Sequence, residues 1–182
     1  MKKVTIGFLF MILLTSAICY AGAPTTCDVT LGAYSTHSDL RNAIKKYKEN
    51  RIGEEVSNIF EKIPLVKTKK EAYLIWLTVG EDEIDGLGFK HGATYKKIVA
   101  RAKKIRLELC PPEVGPLLMI RERNPGEGKG IIAMRPIVAS NGKPAIFAIN
   151  EDEKHCSLHL VDGDPNKFWN SNTRFVFRSF QP

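Results

Sequence analysis

Apolar residues recur with two different periods along this chain. Over 38–53, Leu40, Ala43, Ile44 and Tyr47 fall at helical spacing while Arg41, Lys45, Lys46 and Lys48 face elsewhere. That pattern predicts an amphipathic helix capped by Ser38 and ended by Gly53. A shorter helix is predicted over 54–62, with Val56, Ile59 and Phe60 apolar and Pro64 as its stop. The run 71–79 is nearly continuous apolar sequence, rich in aromatic and branched residues such as Tyr73, Ile75, Trp76 and Val79, and reads as a buried strand. Thr94 then caps the longest predicted helix, 95–106. There Ile98, Val99, Ala102 and Ile105 share one arc, and Lys96, Lys97, Arg101, Lys103 and Lys104 the other.

After Leu107-Glu108-Leu109-Cys110 the period shortens. Pro111 and Pro112 break regular structure, and short β-type runs alternate with turn residues, predicting strands over 117–121, 130–138, 145–149, 157–161 and 174–180. Asn141-Gly142 between two of them is a hairpin signal, because both residue types tolerate positive φ. The fold class implied is α+β: N-terminal amphipathic helices packed on a C-terminal, mainly antiparallel β-meander.

The first 21 residues have a separate logic. Lys2 and Lys3, an apolar run from Val4 to Leu14, and small or polar residues ending at Ala21 have the three-part layout of a secretory signal peptide, with cleavage expected after Ala21. The apolar run is short for a bilayer crossing of roughly 20 residues, so no transmembrane anchor is expected after cleavage. The domain organisation is therefore 1–21 signal peptide, 22–37 an extended arm with one short possible strand at 29–31, and 38–182 a single α+β domain. The expected address is the periplasm or the cell exterior.

Composition narrows the partners. The chain has 182 residues, 43% hydrophobic and 26% charged, with a formal charge of +7. That is enough core for one domain and excludes collagen-like, low-complexity and wholly disordered chains. Removing 21 of 182 residues leaves 161, and losing Lys2 and Lys3 lowers +7 to +5. A mildly basic exported protein is expected to attract anionic partners, with an envelope polymer or a protein ligand ahead of nucleic acid.

Three cysteines remain in the mature chain: Cys27, Cys110 and Cys156. In an oxidising compartment Cys110 and Cys156, each beside a predicted core strand, are the expected disulfide partners, with burial as reduced thiols the alternative. A cysteine nucleophile would pair Cys110 or Cys156 with His91, His155 or His159. Cys110 with His91 is the pair to weigh, because Pro112-Glu113 can open a helical turn beside the thiol. No Gly-x-Ser-x-Gly or His-Glu-x-x-His motif is present.

Asp162, Asp164 and Asn166 space three oxygen donors as a calcium loop begins. However, Lys167 and Thr173 stand where that loop needs Gly and Glu, so an ordinary acidic turn is expected. His155 and His159 on one strand lie about 13 Å apart, too far to share a metal comfortably. Gly126-Glu127-Gly128-Lys129-Gly130 precedes a strand instead of a helix and reads as a hairpin loop, not a phosphate cradle. No cofactor is expected. Trp169, Asn170, Asn172 and Arg174 gather planar and hydrogen-bonding groups in one turn region, the pattern of a surface that stacks on and hydrogen-bonds a sugar or peptide; packing of Trp169 against the sheet end is the structural alternative.

Four stretches, Gly92-Ala93-Thr94-Tyr95, Leu107-Glu108-Leu109-Cys110-Pro111-Pro112-Glu113-Val114-Gly115-Pro116, Ile132-Ala133-Met134-Arg135-Pro136-Ile137 and Arg174-Phe175-Val176-Phe177, carry a resemblance. Over roughly 86–180 the chain resembles an uncharacterised bacterial domain found in hypothetical proteins. The resemblance implies one contiguous domain and brings no activity with it. The function expected from the sequence is a non-catalytic binding domain of the envelope or exterior. A small hydrolase or transferase using a Cys/His pair is the alternative, and an inhibitor or effector acting on another protein is a third.

Overall fold

The computed structural model describes residues 25–80, 86–121, 128–151 and 155–180. The expected signal peptide (1–21), the acidic run 81–85 and Gly126 lie outside them. Within the stretch expected as an arm, Thr26–Leu31 forms strand β1. Thr36, two residues before the expected cap, starts helix α1 (His37–Lys45): its hydroxyl accepts the Asp39 amide at 3.1 Å, satisfying one orphan donor of the first turn. The helix stops well short of Gly53. Asn50–Ile52 forms a three-residue strand, β2, that the helical spacing over 38–53 conceals. The next helix is one turn, α2 (Glu54–Ser57), continued by a 3-10 turn at Phe60–Lys62.

The apolar run forms β3 (Lys70–Thr78), and β4 (Ala93–Thr94) leads directly into α3 (Tyr95–Lys104). β5 (Leu107–Glu108) and the five-residue helix α4 (Val114–Leu118) follow. The remaining elements are β6 (Lys129–Ile132), β7 (Ile137–Val138), β8 (Pro144–Glu151), β9 (Cys156–Asp162), β10 (Phe168–Trp169) and β11 (Arg174–Ser179).

Two expectations need correction here. The apolar run 117–121 is not a strand: α4 buries all five of its residues, and a short apolar run bounded by prolines reads equally as strand or buried helix. The span 130–138 is not one strand either, because it breaks between Ile132 and Ile137 before Pro136 releases it into β7. The hairpin at Asn141-Gly142 is present, with Val138 opposite Pro144 and Gly142 alone taking positive φ (78°).

The fold is α+β, built on a large, mostly antiparallel, curled sheet of order β1-β3-β11-β6-β8-β9-β2. It is not a C-terminal meander. β3 sits between β1 and β11, and the last strand returns to lie parallel to β6, so strands from both halves of the chain interleave. Helices approach both faces. On one face α4 presses Gly115 so close to β8 and β9 that a Cβ there would stand 2.9 Å from a Phe147 ring carbon and 3.2 Å from a Leu158 methyl. On the other, Tyr95 of α3 stacks on Phe175 at 5.8 Å between ring centres.

Glu113 ties this architecture together. Its side chain is fully buried, yet both carboxylate oxygens are used: Oε1 accepts the Gly32 amide at 3.0 Å and Oε2 the Val66 amide at 2.8 Å. One carboxylate thus fixes the turn after β1 and the loop before β3 to the start of α4, and a buried acid with two amide donors satisfies the rule for burying charge.

Candidate functional site

β10 and β4 form a two-residue ribbon, Phe168 opposite Thr94 and Trp169 opposite Ala93. Gly92 makes it possible: its φ is 90°, and a Cβ there would come within 2.3 Å of the Trp169 carbonyl oxygen. The ribbon turns Trp169 inward. Its ring meets Phe175 edge-on at 5.6 Å, the Lys167 ammonium lies 5.6 Å from its centre, and the indole N–H is buried without an acceptor among the described residues. Its neighbour Phe168 is 57% exposed.

The other members of the expected recognition set separate. Asn170 is exposed but spends its side-chain oxygen on the Thr173 hydroxyl at 3.0 Å and its carbonyl on the Thr173 amide. Asn172 is exposed beside it. Arg174 precedes Phe175 on β11, so its side chain leaves by the opposite face, where its guanidinium donates to the Thr25 hydroxyl at 2.9 Å. Trp169 and Arg174 therefore do not share one surface, and the tryptophan serves as a packing anchor.

Alternation along the strands builds a different site. Phe175 lies opposite Ile131, and Ile131 opposite Ala148, so these side chains share a face; Val161, opposite Ile146, joins them. Tyr95 and Trp169 cover that face over Phe175. Beyond them a groove of about 350 Å³ opens, with Ile131, Ala148 and Val161 as apolar floor and Lys129, Asn150, Thr173 and Arg174 among its lining. Trp169 is not among the residues that line this groove; it packs on Phe175, whose register partner Ile131 does line it. No contiguous motif announces the site, because β6, β8, β9 and the approach to β11 each contribute one or two residues. A second cavity, about 340 Å³, lies at the far side of β8 and β9 and holds Glu55, Lys143 and Asp162. There Glu55 Oε1 accepts the Leu160 amide at 3.2 Å and faces His159 Nδ1 at 3.5 Å. Although partial burial opposes it, these donors leave the Glu55 carboxyl below its ordinary pKa.

Neither Cys110 nor Cys156 presents an exposed thiol. Cys110 is 3% exposed, its thiol directed at the Val176 carbonyl at 3.5 Å, and burial pushes its pKa far above the ordinary thiol value. His91 is exposed on the turn before β4, and no hydrogen bond joins it to Cys110 among the described residues. The expected Cys110–Cys156 bridge is absent: both are buried reduced thiols. Cys110 lies beside Met134, in the break between Ile131, opposite Ala148, and Ile137, opposite Ala145, whereas Cys156 lies opposite Glu151. At least three residues along the strand, about 10 Å, and two strand spacings, about another 10 Å, separate them, against a disulfide reach of about 7 Å.

Asp162, which ends β9, and Asp164 and Asn166 in the turn after it are exposed, and each aspartate accepts an amide of that turn. The Asp162 carboxylate accepts the Asp164 amide at 2.9 Å, and the Asp164 carboxylate accepts the Asn166 amide at 2.7 Å. Among the described residues no group of three His, Cys, Asp or Glu side chains is placed to hold a metal ion, and no helix is long and apolar enough to cross a membrane. Compared with protein-family models, with curated proteins and with solved structures, the chain matches none.

Proposed function

We propose that this chain is exported to the periplasm or cell exterior and acts there as a non-catalytic binding domain for an anionic envelope polymer. The groove over Ile131, Ala148 and Val161 is the observation that carries the reading. An apolar floor with a few polar groups at its margin is how recognition sites combine area with orientation. Lys129, on the same face as Ile131, favours an anionic ligand. Trp169, Asn170 and Asn172 act at one remove: Trp169 fixes Phe175, and the Asn170–Thr173 bonds shape the turn that brings Thr173 to the groove. Export is supported by the sequence of residues 1–21.

Amide chemical-shift mapping with solubilised cell-wall fragments tests the site. Perturbations centred on Lys129, Ile131, Ala148, Val161 and Thr173, weakened by Lys129→Glu, are the expected result. Saturable binding mapped to any other surface would contradict it.

A further inference from the structure

Between Asp85 and Glu108 the sequence holds seven Lys or Arg and no acid. α3 turns Tyr95, Ile98 and Ala102 into the core and leaves its lysines exposed. At its C-terminal end Lys103, Lys104 and Arg106 make no ion pair among the described residues.

Two large apolar side chains are exposed at this end of the molecule, one within the basic run and one after β11. Ile105, which ends α3, is 41% exposed, and Phe180 is 61% exposed. The antiparallel register of β5 on β11 sets Leu107 opposite Ser179 and pairs Glu108 with Arg178, so the chain positions that follow the pairing outward, Arg106 and Phe180, leave the same end of these two strands. Arg106 is also the one non-glycine residue with positive φ (63°) among the described residues. A glycine would make this helix-ending turn without Cβ strain, so a long cation is held here against the preference of the local backbone.

Cations alone suit any polyanion. Exposed Ile and Phe tips beside them suit a bilayer, where apolar side chains enter the headgroup boundary while Lys and Arg lie against anionic lipid; a nucleic acid or a charged glycan could stack on the Phe ring but would leave the aliphatic Ile105 tip in water. We propose that the end of α3, with Ile105, Arg106 and Phe180, is a docking patch for the surface of an anionic phospholipid bilayer. It is separate from the groove and does not depend on what the groove binds.

Co-sedimentation of the full chain tests this with vesicles of phosphatidylcholine alone and of phosphatidylcholine mixed with phosphatidylglycerol. Every variant carries the same N-terminal segment, so differences between variants report the patch. Expected are tighter binding to the mixed vesicles, weakening with salt, and a loss of roughly tenfold or more in the Lys103→Ala/Lys104→Ala pair. The Ile105→Ser/Phe180→Ser pair is expected to lose roughly tenfold with an unchanged circular dichroism spectrum, since both side chains are exposed. Arg106→Gly is expected to weaken vesicle binding while raising the melting temperature, a combination that a purely structural role would not give. Equal binding to both vesicle types would overturn the proposal. So would full retention of vesicle binding in the Ile105→Ser/Phe180→Ser pair, which would mark a general polyanion patch.

Discussion

Glu113 accepts the amide of Gly32 across 81 positions of sequence, at 3.0 Å, from a side chain with no exposed surface. Its second oxygen holds Val66 in the same way. Replacing the carboxylate by an amide puts an NH2 group against one of these N–H donors, and removing it leaves both amides unsatisfied. Glu113→Gln is therefore expected to cost roughly 2–4 kcal/mol and Glu113→Ala at least as much. Urea denaturation followed by tryptophan fluorescence checks this; a loss under about 0.5 kcal/mol, the range of ordinary surface changes, would remove Glu113 from its role.

Trp169 and Phe168 are neighbours with opposite duties. The tryptophan packs edge-on against Phe175, whereas the phenylalanine faces solvent. Trp169→Ala should lose about 3 kcal/mol or more in stability, and Phe168→Ala should stay within about 0.5 kcal/mol. Thermal melts of the two variants decide it. Equal melting temperatures would return Trp169 to the surface role that the sequence alone suggests.

The pattern of apolar positions reveals the long strands β3, β8, β9 and β11 and the helix α3, because each carries several residues of one period. It conceals β2, whose three residues gain strand geometry from pairing with Cys156–Leu158. It misassigns 117–121 as a strand, because Leu117 and Leu118 belong to α4, a helix that is apolar all round and enclosed. The candidate groove is illegible for a related reason: Ile131, Ala148 and Val161 become neighbours only through the strand order β11-β6-β8-β9. Trp169 and Arg174 look like one site in sequence, yet alternation sends Phe175 and Arg174 to opposite faces, so the tryptophan and the arginine part with them.

The thiols set the alkaline limit. Burial raises Cys27 from 9.0 to about 11, with Arg121 opposing the rise and Asp28 and Glu151 adding to it. Tyr95 and Cys110 are raised in the same sense by burial. Each group ionises more readily in the unfolded chain, so its contribution is complete below the unfolded pKa and is lost as pH rises through the folded one. For Cys27 the window runs from about 9 to about 11. Melting temperature against pH is expected to fall more steeply across that window in the wild type than in Cys27→Ala; superimposable curves would contradict the assignment. A thiol reagent at neutral pH is expected to leave Cys110 unmodified until the protein unfolds.

The binding reading and its cellular context rest on the opening segment being removed during export. Intact-mass analysis of the protein recovered from each cellular fraction tests this most directly. A 161-residue chain beginning at Gly22, found outside the cytosol, is the expected result. A chain that keeps Met1 and resides in the cytosol would contradict it.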